Sequence, residues 1–245
     1  TGVQTCALPI YKLIKGLFGE RLIYVPYEDA QDNGAVVPCV VYMVKVPYEA
    51  SFSAGTIDSK ILRGIKRNEI RNGLVGQICQ NVPKDWQTLV FVDHIEDHLI
   101  PLYQKMPSGT TYVHRGSSKS LGAFALSAKK QDANLQKFRD AECQYLLATD
   151  CLRAGADIPA IRVVVQASGG TSEVELLQEA YRGSRISPGK THFVLVDFLD
   201  QHDTTLENMS LKRMEIYRKQ GWTIRQVESV DEIDWQNYAA PVKTV

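Results

Sequence analysis

The sequence predicts an α/β fold, an open parallel sheet with helices on both faces. Two observations carry this. From Thr88 onward, short continuous apolar runs such as TLVFVD (88–93) alternate with segments of helical periodicity; such runs suit parallel strands buried on both faces, and the alternation suits right-handed crossovers. The second is the stretch Tyr145–Arg185, which reads as a buried strand, a Gly/Asp/Pro loop, a second strand, a Gly-Gly turn and a helix.

The first ten residues, TGVQTCALPI, have neither period, fit poorly with the chain beyond them and resemble translated sequencing-adapter read-through; they are expected to be a non-native or disordered tail. Residues 11–19 read as a short amphipathic helix stopped by Gly19, and 21–25 as a strand. The acidic stretch 28–38 reads as a linker into a strand over 40–46. Between Thr56 and Asn81, Ile57, Ile61, Leu62, Ile65, Ile70, Leu74 and Ile78 recur at helical steps, with Lys60, Arg63, Lys66, Arg67 and Arg71 alongside. A basic helix can follow phosphates, but a solvated face is the commoner meaning. Strands are then predicted at 88–93, 111–114, 145–149, 161–166 and 192–198, and helices near 96–105, 121–140, 172–185 and 203–222, the last stopped by Gly221.

The chain has 245 residues, 44% hydrophobic and 23% charged, as in ordinary globular proteins. Lys plus Arg and Asp plus Glu are both 28, so contact with nucleic acid must come from local clusters. Five scattered cysteines indicate neither a zinc site nor a disulfide framework, and a reducing, cytoplasmic compartment is expected. No apolar run approaches a membrane span.

Gln178, Arg182 and Arg185 are spaced to share one face of the predicted helix, opposite Leu176, Ala180 and Gly183. On spacing alone this is a solvated outer face. The loop upstream changes the weighting, because ligands of open α/β sheets sit at carboxyl ends of strands. Ala148-Thr149-Asp150, then Gly155-Ala156-Asp157-Ile158-Pro159, together with Gln178-x-x-x-Arg182-x-x-Arg185, resemble motifs V and VI of superfamily 2 helicases of the DEAD/DEAH-like, phage and bacterial type.

The resemblance implies a RecA-like sheet over nearly everything from Tyr11 to about Trp222. It divides the chain into a tail (1–10), a remnant of a first RecA-like domain (11–27), an interdomain linker and strand (28–55), the helicase C-terminal domain (56–225) and a C-terminal tail (226–245). It implies an ATP-dependent DNA helicase or translocase whose ATP and Mg2+ are bound mainly by a first domain lying upstream. Arg182 and Arg185 would be arginine fingers, with Gln178 a polar contact; Gly155 and Asp157 would meet the nucleotide. Thr149, with Arg115 and Lys119 of the loop VHRGSSKS (113–120), would meet the backbone of DNA, or of RNA as the other track. Two departures stand out: Tyr181 replaces the usual Gly, and Glu179 replaces a commonly basic residue.

Several signals point away from other chemistry. No G-x-x-x-x-G-K-[ST] occurs, so the chain alone is expected to be inactive as an ATPase. DEID at 231–234 has no buried strand before it and reads as a surface turn. His94 and His98 lack the adjacent glutamate of a zinc-protease helix, and no G-x-S-x-G elbow is present. Two alternatives remain open: a non-catalytic nucleic-acid-binding module on a degenerate helicase domain, and an unrelated doubly wound enzyme, in which the arginines would line a small-molecule pocket.

Overall fold

The structure is a computed structural model that describes residues 25–114, 119–149 and 157–237. The helix expected at 11–19 and the strand expected at 21–25, apart from Val25, lie outside these residues, as does most of the Gly155 loop.

The strands are β1 (Cys39–Lys45), β2 (Gln87–Phe91), β3 (Thr111–Val113), β4 (Tyr145–Ala148), β5 (Ile161–Gln166), β6 (Phe193–Leu199) and β7 (Thr223–Val227). All pair in parallel, in the order β3-β4-β2-β5-β6-β1-β7. The helices are α1 (Tyr27–Asp32), α2 (Ile57–Ile61), α3 (Glu69–Asn81), α4 (Ile100–Tyr103), α5 (Ala128–Arg139), α6 (Glu173–Ala180) and α7 (Thr204–Lys219).

Period-two side chains divide the core into two layers. From β1, Val40, Tyr42 and Val44 join Val75 and Ile78 of α3 and Leu102 of α4 on one face. Val41 and Met43 point to the other face, with Phe138 of α5, Ala180 of α6, and Met214 and Tyr217 of α7. Helices therefore cover both faces, as predicted.

Four expectations need adjusting. The strand expected in an interdomain linker is β1, which lies inside the sheet with β6 on one side and β7 on the other. The long helix over 56–81 is broken: α2 continues as a π-turn over Leu62–Lys66, and Asn68 then starts α3 by accepting the Arg71 N–H at 3.1 Å while its own amide donates to the Ala50 carbonyl at 2.8 Å. β7 extends the ordered sheet across the boundary placed at residue 225, and Val230 and Ile233 beyond it are buried. Consequently a strand does precede DEID, but it is a half-exposed edge strand; Asp231 and Glu232 are exposed in a short 3-10 turn, as expected of a surface turn.

The helix predicted over 172–185 is shorter than expected. α6 stops at Ala180 and a 3-10 turn spans Tyr181–Gly183. The turn tightens because the Tyr181 carbonyl accepts both the N–H and the hydroxyl of Ser184, at 3.1 and 2.9 Å. Gly183 fits because any Cβ there would lie 2.3 Å from the Phe193 ring.

Candidate nucleotide and nucleic-acid interface

Gln178 is exposed on α6, Arg182 is half-buried in the 3-10 turn, and Arg185 is exposed just beyond it. A 3-10 turn advances about 120° per residue rather than 100°, so the two arginines rotate off the straight stripe that an α-helix would give. The apolar side behaves as predicted: Leu176 and Ala180 are buried and Gly183 packs on β6.

The chain fold brings the two sequence motifs together. Asp157, exposed ahead of β5, lies 3.4 Å from Nε of Arg185. Both partners are about two-thirds exposed, so the pair orients the guanidinium without adding appreciable stability. Burial pushes the Arg182 guanidinium below its ordinary value; neighbouring Arg185 pushes the same way and Asp157 opposes it. Two like charges held this close form a positive site suited to an anionic group. Cavities of about 600 and 140 Å³ elsewhere among the described residues are lined by other side chains.

Tyr181, the departure from glycine, turns away from the arginines. Its ring stacks on Tyr27 at 5.6 Å and meets Trp222 edge-on, and its hydroxyl donates to Oε1 of Gln220 at 2.6 Å. Glu179 is also turned inward, buried and accepting from Nε2 of Gln166 at 2.6 Å. Neither departure occupies the arginine face.

The expected nucleic-acid contacts are only partly placed. Thr149 directly follows β4 and is 4% exposed, its N–H donating to the Val113 carbonyl at 3.3 Å. Lys119 begins a short 3-10 segment that kinks at Gly122, whereas Arg115 and Gly155 lie outside the described residues. The basic residues of 56–81 are largely held by intramolecular partners. Lys60 pairs with Asp203, Lys66 with Asp93, Arg67 with Asp97, and Arg63 donates to the Ser53 carbonyl. Arg71 is fully buried and pairs with Asp200 at 2.8 Å.

That last pair belongs to a network that sequence reasoning missed. Arg213 of α7 binds Asp197 through Nε at 2.9 Å and through Nη2 at 3.0 Å, and reaches Asp200 at 3.4 Å. Tyr217 adds its hydroxyl to Asp197 at 2.8 Å. All four charged groups are fully buried. Although burial opposes the charged form, Asp197 and Asp200 hold the Arg213 guanidinium above its ordinary value. Arg71 Nη1 donates to the Ala167 carbonyl at 2.7 Å and Arg213 Nη1 to that of Gly169 at 3.2 Å. The network thereby fixes the turn from which α6 departs. A carboxylate inside the apolar run FVLVDFLD was the available signal, since a buried charge requires a partner.

Fold and site define a class: a RecA-like α/β domain that presents two arginines at one end of its sheet. Residues 70–187 match the family described as the helicase conserved C-terminal domain. "Putative helicase 22" of Sulfolobus islandicus filamentous virus is 30% identical over 80 residues, covering 33% of this chain and 14% of that protein. Among solved structures, S. cerevisiae Dbp5 bound to RNA and ADP BeF3 aligns with 94% of this chain and 51% of its own, at TM-score 0.57 and 15% identity. A Vibrio vulnificus fragment described as a "putative HsdR subunit of a type I restriction enzyme" aligns with 93% and 42%, at TM-score 0.62 and 18% identity. The chain thus spans between about a seventh and a half of the length of these relatives. Residues 70–187 are thus similar to the helicase conserved C-terminal domain, and the fold around them is RecA-like.

Proposed function

We propose that this chain is the C-terminal half of an ATP-dependent DNA helicase or translocase, supplying arginine fingers and one grip on the nucleic-acid backbone. The observation that carries the reading is the contact of Asp157 with Arg185, within electrostatic reach of the half-buried Arg182, which draws two separate motifs into one site. Guanidiniums are permanently charged and their planar donors match phosphate oxygens, so the site fits the anionic end of a nucleotide held by a facing domain. ATP with Mg2+ would supply the transferable phosphoryl group and its counter-charge. This chain's own part is to orient Arg185 through Asp157, to present Arg182 from a half-dry turn, and to add the Gln178 amide beside them. Gly155 would let the backbone approach the nucleotide. Thr149, Arg115 and Lys119 would hold phosphates without reading sequence. Opening and closing against the first domain would then advance the motor along DNA, with RNA as the other track.

Of the two features that favour a non-catalytic binding module, Tyr181 and the neutral net charge, the inward packing of Tyr181 weakens the first. The test is nucleic-acid-stimulated ATP hydrolysis by the parent polypeptide with its upstream domain. Arg182→Ala and Arg185→Ala are each expected to lower turnover on the order of a thousandfold while nucleic-acid binding persists. The 245 residues alone are expected to show no turnover. A parent that binds nucleic acid but never hydrolyses ATP would return the assignment to the binding module.

A further inference from the structure

The turn that carries Arg182 is a single short 3-10 element, Tyr181–Gly183. A turn of this kind has poor hydrogen-bond geometry and does not by itself hold a long side chain in place. It is fastened at both ends to the segment 27–38 that leads into β1. At its front, the Tyr181 ring stacks on Tyr27 of α1, with centroids 5.6 Å apart and planes 13° from parallel. At its back, the Ser184 carbonyl accepts the Val37 N–H at 2.9 Å. Tyr27 links the two attachments, because its hydroxyl donates to the Val37 carbonyl. Trp222 forms the floor: it meets Tyr27 and Tyr181 edge-on at 5.5 and 5.7 Å and stacks on Tyr217 of α7 at 5.8 Å. The Tyr217 hydroxyl in turn bonds buried Asp197, so the floor is tied to the charge network. The Pro38 carbonyl accepts the Phe193 N–H at 2.9 Å, which joins the same segment to the strand on which Gly183 packs.

We propose that Tyr27 and Tyr181 are positioning residues for Arg182: their stack holds the arginine-bearing turn against the segment before β1, so that the guanidinium is set from that segment as well as from the sheet. The proposal rests on the reading of Arg182 as an arginine finger. Both rings are partly buried and lie at the margin of the core rather than within it, unlike the side chains that hold the sheet together. The stack and the Val37 bond also bracket Arg182 and Gly183, whereas Gln178 and the rest of α6 lie outside that bracket. A finger needs its guanidinium placed closely, since a misplacement of about 1 Å costs up to about a hundredfold in rate. Stacked rings supply such placement, because two planar faces in contact favour a narrow range of offsets.

The experiment measures nucleic-acid-stimulated ATP hydrolysis by the parent polypeptide, comparing wild type with Tyr27→Ala, Tyr181→Ala, the double variant and Tyr181→Phe. Each alanine variant is expected to lower kcat about tenfold, the most that loss of one aromatic pair gives. The KM for ATP should stay within about twofold, because a finger acts in the transition state rather than in substrate binding. The double variant should be no slower than either single one, since both remove the same stack. Tyr181→Phe keeps both rings and should restore the wild-type kcat, which guards against a folding defect in the alanine variants. Wild-type kcat in both alanine variants, with Arg182→Ala inactive, would overturn the positioning role alone, even if their Tm falls. Multiplying losses in the double variant, or an equal loss in Tyr181→Phe, would overturn it too. A wild-type parent without turnover would instead sink the arginine-finger reading, and this inference with it.

Discussion

Asp197 shows at single-residue scale why a carboxylate can sit in the middle of a buried strand. Its two oxygens accept from Arg213 and Tyr217, and Oδ1 also takes the Phe198 N–H at 2.6 Å. Removing one partner of such a pair leaves the other charged, dry and uncompensated, which typically costs about 3–5 kcal/mol. Asp197→Asn is therefore expected to lower unfolding free energy by about 3 kcal/mol, read as a fall in the urea midpoint at unchanged slope. Arg71 teaches the same lesson from the other side. Its position on a basic stretch suggested solvent or phosphate, yet it lies over the Phe198 ring at 4.4 Å and pairs with Asp200. Charge type was legible in the sequence; the partner 129 residues away was not.

At the scale of elements, helix existence was readable and helix ends were not. The apolar spacing of 56–81 and 172–185 was right, but Asn68 restarts one helix and Ser184 tightens the other into a 3-10 turn. Both events depend on side chains that bond to backbone, which periodicity does not register. Gly183 marks where that turn approaches β6 most closely. Gly183→Ala must displace the Phe193 ring and is expected to cost about 1–3 kcal/mol, measurable as a lowered Tm, with secondary structure retained by circular dichroism. Because the turn carries Arg182, the same substitution should also weaken the proposed finger. The stop of α7 was legible: Gly221 has φ of +72°, a conformation that an L side chain adopts only with strain.

For the whole molecule, buried histidines set the acid limit. His98, His114, His192 and His202 are each held below the ordinary value of 6.5, with burial the first cause in every case; Arg71 and Lys66 push His98 further down. A depressed folded-state value means that the unfolded chain binds more protons below pH 6.5. The stability these groups contribute is therefore intact above 6.5 and lost as pH falls below it. Calorimetry should show Tm declining from about pH 6.5 downward, a decline that His114→Gln should make shallower. The described helices include none long and apolar enough to cross a membrane.

The sequence alone determined the α/β class, the parallel sheet, most strands, and the two motifs that carry the family resemblance. These are encoded locally, in apolar runs, helical spacing and short fixed patterns. Tertiary structure alone decided that β1 belongs inside the sheet, that Tyr181 and Glu179 turn inward, that Asp157 meets Arg185, and that four buried charges brace the turn before α6. The reason is physical: strand order, side-chain direction and charge pairing depend on which distant segments share a space, and no window along the chain contains both members of such a pair.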